Sequence, residues 1–220
     1  MSYKLYGTSV SPFVRKVLVY MEEKGISFEN EPVNPFAPPD NYKDISPLGK
    51  IPALGTNGRT LADSSVICQY LERENPTPAL YPEDNYDYAR SLWIEEFIDG
   101  GFVPKAGGNV FFPLVVAPKF MDQPVTDDVR AAVEQSLNEE VYPMWEYLNQ
   151  EIKGREFFVG DKLTIADIAV ASIHVNLLHA GVDVDATKLP DLASFIARMH
   201  ARPSFASLIA EETPVWSTRS

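Results

Sequence analysis

Apolar positions in the first 80 residues switch between a period of two and a period of about 3.6, which predicts strands alternating with helices. Tyr3-Lys4-Leu5-Tyr6 alternates as a strand does, and Ser11-Pro12 opens a helix with proline at its first position. Val14, Val17, Leu18 and Met21 then recur at helical spacing, and Gly25 stops the helix after Glu22-Glu23-Lys24. Ser27 to Pro32 reads as a second strand, Pro35 to Asp40 as a proline-rich loop, and Tyr42 to Ile45 as a short helix. Ile51 to Leu54 and Arg59 to Leu61 make two short strands around Thr56-Asn57-Gly58, a hairpin signal, and a helix from Ser64 to about Glu74 follows. This order implies a mixed sheet with helices on its faces.

Asn75-Pro76-Thr77-Pro78-Ala79-Leu80-Tyr81-Pro82 is the best domain boundary, so the expected division is 1–78, a linker over 79–85, and a second domain over 86–220. Everything after the linker reads helical, near 84–103, 124–153, 164–179, 188–200 and 203–212. Gly100-Gly101, Pro104, Gly107-Gly108, Pro113 and Pro118 are expected to break up what would otherwise be one or two long helices. Thr164-Ile165-Ala166-Asp167 matches a capping box, a structural device, and opens a helix that is apolar on nearly every side.

Composition narrows the function classes. The chain has 220 residues and a formal net charge of −12, which argues against nucleic acid or an anionic membrane as the main partner. An anionic ligand must therefore be drawn by a local feature. One cysteine, Cys68, leaves no disulfide framework and no CxxC motif, and its apolar neighbours mark it as a buried, inert thiol. The first residues run directly into a strand pattern and no apolar run is long enough to span a bilayer, so a cytoplasmic location is expected. His174, His179 and His200 lack metal-ligand spacing, and no metal is expected.

The chemistry concentrates at Gly49-Lys50-Ile51-Pro52-Ala53-Leu54. Proline at the start of a strand donates no ladder hydrogen bond, which leaves the main chain of Ile51 for a ligand with amides of its own. Asp63-Ser64 opens a helix, and helix starts collect carboxylates. Together they describe a peptide-like anion docked on a strand edge and a helix start.

Ser11-Pro12-Phe13, Ser46-Pro47-Leu48-Gly49-Lys50-Ile51-Pro52-Ala53-Leu54, Asp63-Ser64, and Phe158-Val159-Gly160-Asp161 through Thr164-Ile165-Ala166-Asp167 occur in an order and at separations that resemble the glutathione S-transferase superfamily over nearly the whole chain. The resemblance implies a thioredoxin-like α/β first domain, with a mixed four-stranded sheet and three helices, and an all-α second domain. It implies a cytosolic homodimer that takes glutathione as co-substrate beside an apolar electrophile. Carried over by motif, the Ile51 main chain, ahead of a cis bond to Pro52, pairs with the cysteinyl part of glutathione. Asp63 and Ser64 hold its γ-glutamyl end, and Lys50 approaches its glycyl carboxylate.

The thiol of glutathione, with a pKa of roughly 8.5, must be favoured as thiolate, and a hydroxyl at a helix N-terminus does so by hydrogen bond and dipole. Tyr6, Thr8, Ser9 and Ser11 are the candidates. Ser11 ranks first, as the N-cap of a helix whose Ser-Pro-Phe resembles tau-class enzymes; Ser9 is the runner-up and Tyr6 third. Serine here, where the omega class has cysteine, argues against thiol–disulfide chemistry. Lys16 departs from the arginine usual in both classes, which bears on class rather than fold. Phe13, Phe112 and Trp216 are the candidate walls of the electrophile cleft. The alternatives are a non-catalytic binding protein of the same fold, or a glutathione-dependent isomerase, peroxidase or dehalogenase.

Overall fold

The computed structural model describes residues 2–219 and divides the chain into two compact units, Met1–Tyr81 and Pro82–Ser220. In the first unit β1 (Tyr3–Tyr6), α1 (Pro12–Glu23), β2 (Phe28–Glu31), α2 (Tyr42–Ile45), β3 (Ala53–Thr56), β4 (Arg59–Ala62) and α3 (Ser64–Glu74) follow in order. The sheet runs β2-β1-β3-β4, with β1 parallel to β2 and antiparallel to β3, and β3 antiparallel to β4. This is the mixed sheet expected from the element order, in the thioredoxin-like arrangement that the family resemblance implies. Tyr3 and Leu5 of β1 and Ala53 and Leu54 of β3 are buried with Val14, Val17, Leu18 and Met21 of α1 and Ile67 and Leu71 of α3. The β3–β4 hairpin turns on Asn57 and Gly58, at φ +49° and +72°, the left-handed pair that a two-residue turn requires.

Register fixes where the loops emerge. Tyr6 lies opposite Ala53, and Ala53 opposite Ala62. The end of β1, the start of β3 and the end of β4 therefore share one edge, and so do Gly7 to Ser11, Ile51-Pro52 and Asp63-Ser64.

The second unit is all helical: α4 (Asn85–Glu96), α5 (Ala117–Phe120), α6 (Asp127–Ser136), α7 (Tyr142–Ile152), α8 (Ile165–His179), α9 (Pro190–His200) and α10 (Pro203–Trp216). The expected breaks after Gly100 do not occur. The chain stays helical from α4 to α5 through wide π-type turns at Phe97–Phe102 and Pro104–Val116. The Val103 and Ala117 amides donate five residues back, to Ile98 and Phe112. Ile98, Phe102, Ala106 and Val110 are buried at a spacing of four, wider than that of an α-helix. Tertiary burial overrides the local breakers, and glycine is useful there: a Cβ on Gly101 would lie 3.2 Å from the Met144 side chain. α10 also runs past the expected stop near 212, carrying Pro214 within it.

α8 is buried along nearly its whole length, as its all-round apolar sequence requires. At its start the Asp167 carboxylate accepts from the Thr164 amide at 2.8 Å, the Thr164 hydroxyl at 3.0 Å and the Phe158 amide at 2.8 Å. Burial pushes this carboxyl up to about 6, against the hydrogen bonds that pull it down. Farther along, His174 is buried against Trp145 and Phe102. Among the described residues no helix is long and apolar enough to cross a membrane.

Candidate functional site

Three short segments converge on the shared edge of the first unit. Ser11, half-buried, caps α1, with its amide donating to the Thr8 carbonyl at 3.1 Å. Its hydroxyl lies 3.5 Å from the Val14 amide, a long contact that leaves the hydroxyl proton for another acceptor. Ser9 and Thr8, also half-buried, occupy the preceding loop. The Tyr6 ring covers Gly55, where an added Cβ would sit 3.3 Å from Cε2, and the Lys4 ammonium lies 5.4 Å from the ring centre.

Gly7 permits this convergence. It has φ +152°, and a Cβ there would come within 2.6 Å of Val14 Cγ2 and 3.4 Å of the Ile51 Cβ. Gly7→Ala is expected to lower stability by about 1–3 kcal/mol, since Val14 on α1 and Ile51 are both packed against it. A urea midpoint equal to that of the wild type would refute this.

The second segment is the loop into β3. Ile51 and Pro52 are joined by a cis bond, and β3 begins only at Ala53, so Ile51 lies outside the ladder. The Lys50 carbonyl accepts from Ser46 Oγ at 2.7 Å and from the Tyr42 hydroxyl at 3.2 Å. The Lys50 side chain is exposed and has no ion-pair partner among the described residues.

The third segment is the start of α3. Asp63 is its N-cap, held at φ +78°, a region that non-glycine residues seldom occupy. Its Oδ1 accepts from the Ser65 and Val66 amides at 2.9 and 3.2 Å, while Oδ2 has no partner among the described residues. Ser64, at the first helical position, is buried. Lys16 Nζ, also buried, donates to Ser65 Oγ at 3.1 Å and ties α1 to the start of α3.

A cavity of about 310 Å³ lies among these segments, lined by Phe13, Lys50, Ile51, Pro52, Asp63 and Ser64, together with Ser46, Leu48 and Ala62. Ser11 and Ser9 are outside the lining, although Phe13 is only two residues from Ser11. Ser46 and Leu48 stand in the same motif as Lys50, yet nothing in their types marks them as facing the cavity. Phe112 and Trp216 belong to the second unit, where the Trp216 ring lies 5.0 Å from Phe120 and 6.4 Å from Phe111. Cys68 is buried in α3. Among the described residues no group of three His, Cys, Asp or Glu side chains is placed to hold a metal ion.

Comparison with known proteins gives these features a family. Residues 5–79 match the family described as glutathione S-transferase, N-terminal domain, and residues 114–212 match glutathione S-transferase, C-terminal domain. The chain is 31% identical to the uncharacterized GST-like protein YibF of Escherichia coli, over 92% of this chain and 96% of the relative. The crystal structure of a glutathione S-transferase from Rhodospirillum rubrum superposes with a TM-score of 0.87 at 26% identity, covering 99% of this chain and 96% of the other. A glutathione S-transferase from Methylobacillus flagellatus, solved with GSH bound, superposes with a TM-score of 0.76 at 30% identity, over 94% and 98% of the two chains. With both domain families matched and a relative aligned over nearly its full length, the chain belongs to the glutathione S-transferase superfamily.

Proposed function

We propose that this chain is a glutathione transferase that binds glutathione on its first unit, stabilises the thiolate through Ser11, and directs it at an apolar electrophile. The observation that carries the reading is the cavity that gathers Lys50, Ile51, Pro52, Asp63 and Ser64 from separate segments. The buried Ser64 and the positive start of α3 suit the γ-glutamyl carboxylate, and the second oxygen of Asp63 suits the ammonium. The Ile51 main chain stands outside the ladder to meet the cysteinyl amide. Lys50 carries a positive charge for the glycyl carboxylate. A glutathione S-transferase of 30% identity solved with GSH bound supports glutathione as the ligand.

In this reading the thiol gives its proton to solvent, and Ser11 Oγ–H donates to the thiolate sulfur. The α1 dipole favours the same charge. The sulfur lone pair then forms a bond to the electrophilic carbon, and the displaced group leaves with its electron pair. Lowering the thiol pKa by about two units corresponds to roughly 2.7 kcal/mol of thiolate stabilisation. Phe13 lines the cavity and is proposed as an electrophile wall. A homodimer is part of the same proposal.

The test follows thiolate absorbance of bound glutathione against pH. The wild type is expected to hold the thiol about two pKa units below its free value, and Ser11→Ala to return it most of the way. A bound thiol that keeps its solution pKa in the wild type would sink the mechanism. A depressed pKa lost in Ser9→Ala but kept in Ser11→Ala would move the role to Ser9.

A further inference from the structure

The Lys50 carbonyl belongs to an exposed residue, where water would satisfy it at no structural cost, yet two hydroxyls converge on it. Both come from residues almost wholly withdrawn from solvent, Ser46 at 1% and Tyr42 at 2% exposure. They flank α2, Tyr42 as its first residue and Ser46 as its C-cap. A four-residue helix has little stability of its own, and α2 has no side-chain cap at its start. The loop from Ser46 to Lys50 is closed by the Gly49 amide, which donates to the Ser46 carbonyl at 2.7 Å with Gly49 at φ +66°. α2 and its loop thus form a bracket around one peptide group.

That peptide joins Lys50 to Ile51. It is planar, so its C=O and N–H point in opposite directions and fixing one fixes the other. With the carbonyl drawn back by two donors, the Ile51 N–H has a single direction. We propose that Ser46 and Tyr42 are positioning residues for glutathione, which set the Ile51 main chain to receive the cysteinyl unit and so place the sulfur. This rests on the reading of the cavity as the glutathione site. Burial pushes the Tyr42 hydroxyl up to about 12, with the neighbouring Tyr6 adding to it, so it stays a donor across the working pH range. Tyr42 is not among the cavity-lining residues, so its effect on the ligand is transmitted through Lys50.

The experiment measures the glutathione Kd by calorimetry and the pKa of the bound thiol by absorbance. It uses the full-length wild type, Ser46→Ala, Ser46→Thr and Tyr42→Phe, with melting temperatures alongside. Ser46→Ala is expected to weaken glutathione about tenfold and Tyr42→Phe about threefold, the range of a single hydrogen bond. Both should move the bound thiol toward its free pKa, and Ser46→Thr, which keeps the hydroxyl, should restore both values. A Kd and thiol pKa unchanged in Ser46→Ala and Tyr42→Phe, with or without a fall in melting temperature, would overturn the proposal and leave the hydroxyls with the fold alone. So would weakened binding in Ser46→Ala that Tyr42→Phe does not share, because that pattern marks direct contact between Ser46 and ligand. Failure of the wild type to take up glutathione overturns the site reading itself, and this proposal with it; uptake by the wild type with unchanged variants overturns only the positioning role.

Discussion

Lys24→Met is expected to cost the protein about 3 kcal/mol, the low end of the range for removing one partner of a buried ion pair. Lys24 follows α1 as its C-cap, and its side chain has no exposed surface. Its ammonium donates to Glu72 Oε2 at 2.6 Å and to the Pro78 carbonyl at 2.5 Å, and lies 5.5 Å from the centre of the Tyr20 ring. Glu72 also accepts from the Tyr20 hydroxyl and, through Oε1, from the Leu80 amide at 3.1 Å. One lysine and one glutamate thereby fasten the proline-punctuated segment 75–81 to the back of α1 and α3. Methionine fills the same volume but leaves Glu72 as a charge with only neutral donors and strips the Pro78 carbonyl of its donor. Glu72 keeps 17% exposure, so water offsets part of the cost, which places the expected loss at the low end. The double variant Lys24→Met/Glu72→Leu, which leaves no orphaned charge, should recover part of the loss. Urea denaturation decides it: a single variant within about 1 kcal/mol of the wild type would show that the pair contributes little.

That anchor shows which kinds of structure the sequence discloses. Lys24 sits among Glu22, Glu23 and Gly25 and reads as an ordinary charged helix end, because its partners are 48 and 54 residues away. Features encoded by neighbours are legible. Ser11-Pro12 announces a helix start, Asn57-Gly58 a two-residue turn, and Thr164 to Asp167 a cap, since each depends on backbone preferences a few residues long. The Ile51-Pro52 and Asp63-Ser64 signals are legible for the same reason, because Pro52 and Asp63 act through the local backbone. The helical path through Gly100, Pro104 and Gly107 runs against its local signals, because its geometry is set by the core that buries Ile98, Phe102, Ala106 and Val110. The grip of Ser46 and Tyr42 on Lys50 is invisible in the sequence for a different reason. Serine and tyrosine hydroxyls bond in many directions, and only closure of the loop decides which carbonyl they reach.

Stability should respond to acid through His174, by roughly 3 kcal/mol between pH 6.5 and pH 4. The imidazole is fully saturated as a neutral ring: Nδ1–H donates to the Val170 carbonyl at 2.7 Å, and Nε2 accepts from the Trp145 indole N–H at 2.8 Å. A second proton has nowhere to go except against the Trp145 donor. Burial is the main cause that lowers this pKa from 6.5 to about 4, and His200 adds to it, against the Val170 bond. Because the folded value is depressed, the neutral ring's contribution is complete above pH 6.5. As the pH falls, the unfolded chain binds the proton first, and stability is lost until the folded ring itself titrates near pH 4. At about 1.4 kcal/mol for each pH unit of that window, the magnitude is accounted for. Asp167 acts in the opposite sense. Its folded pKa, raised from 3.8 to about 6, lets the native state take up a proton first, so its contribution grows as the pH falls through the same range. The wild-type profile is therefore flatter than either group alone would make it, and only a comparison of variants isolates the histidine. His174→Gln keeps one acceptor for Trp145 and one donor for Val170 but does not titrate. Its stability relative to the wild type should rise by roughly 3 kcal/mol from about pH 7 to about pH 4, and a difference that stays constant over that range would refute the assignment.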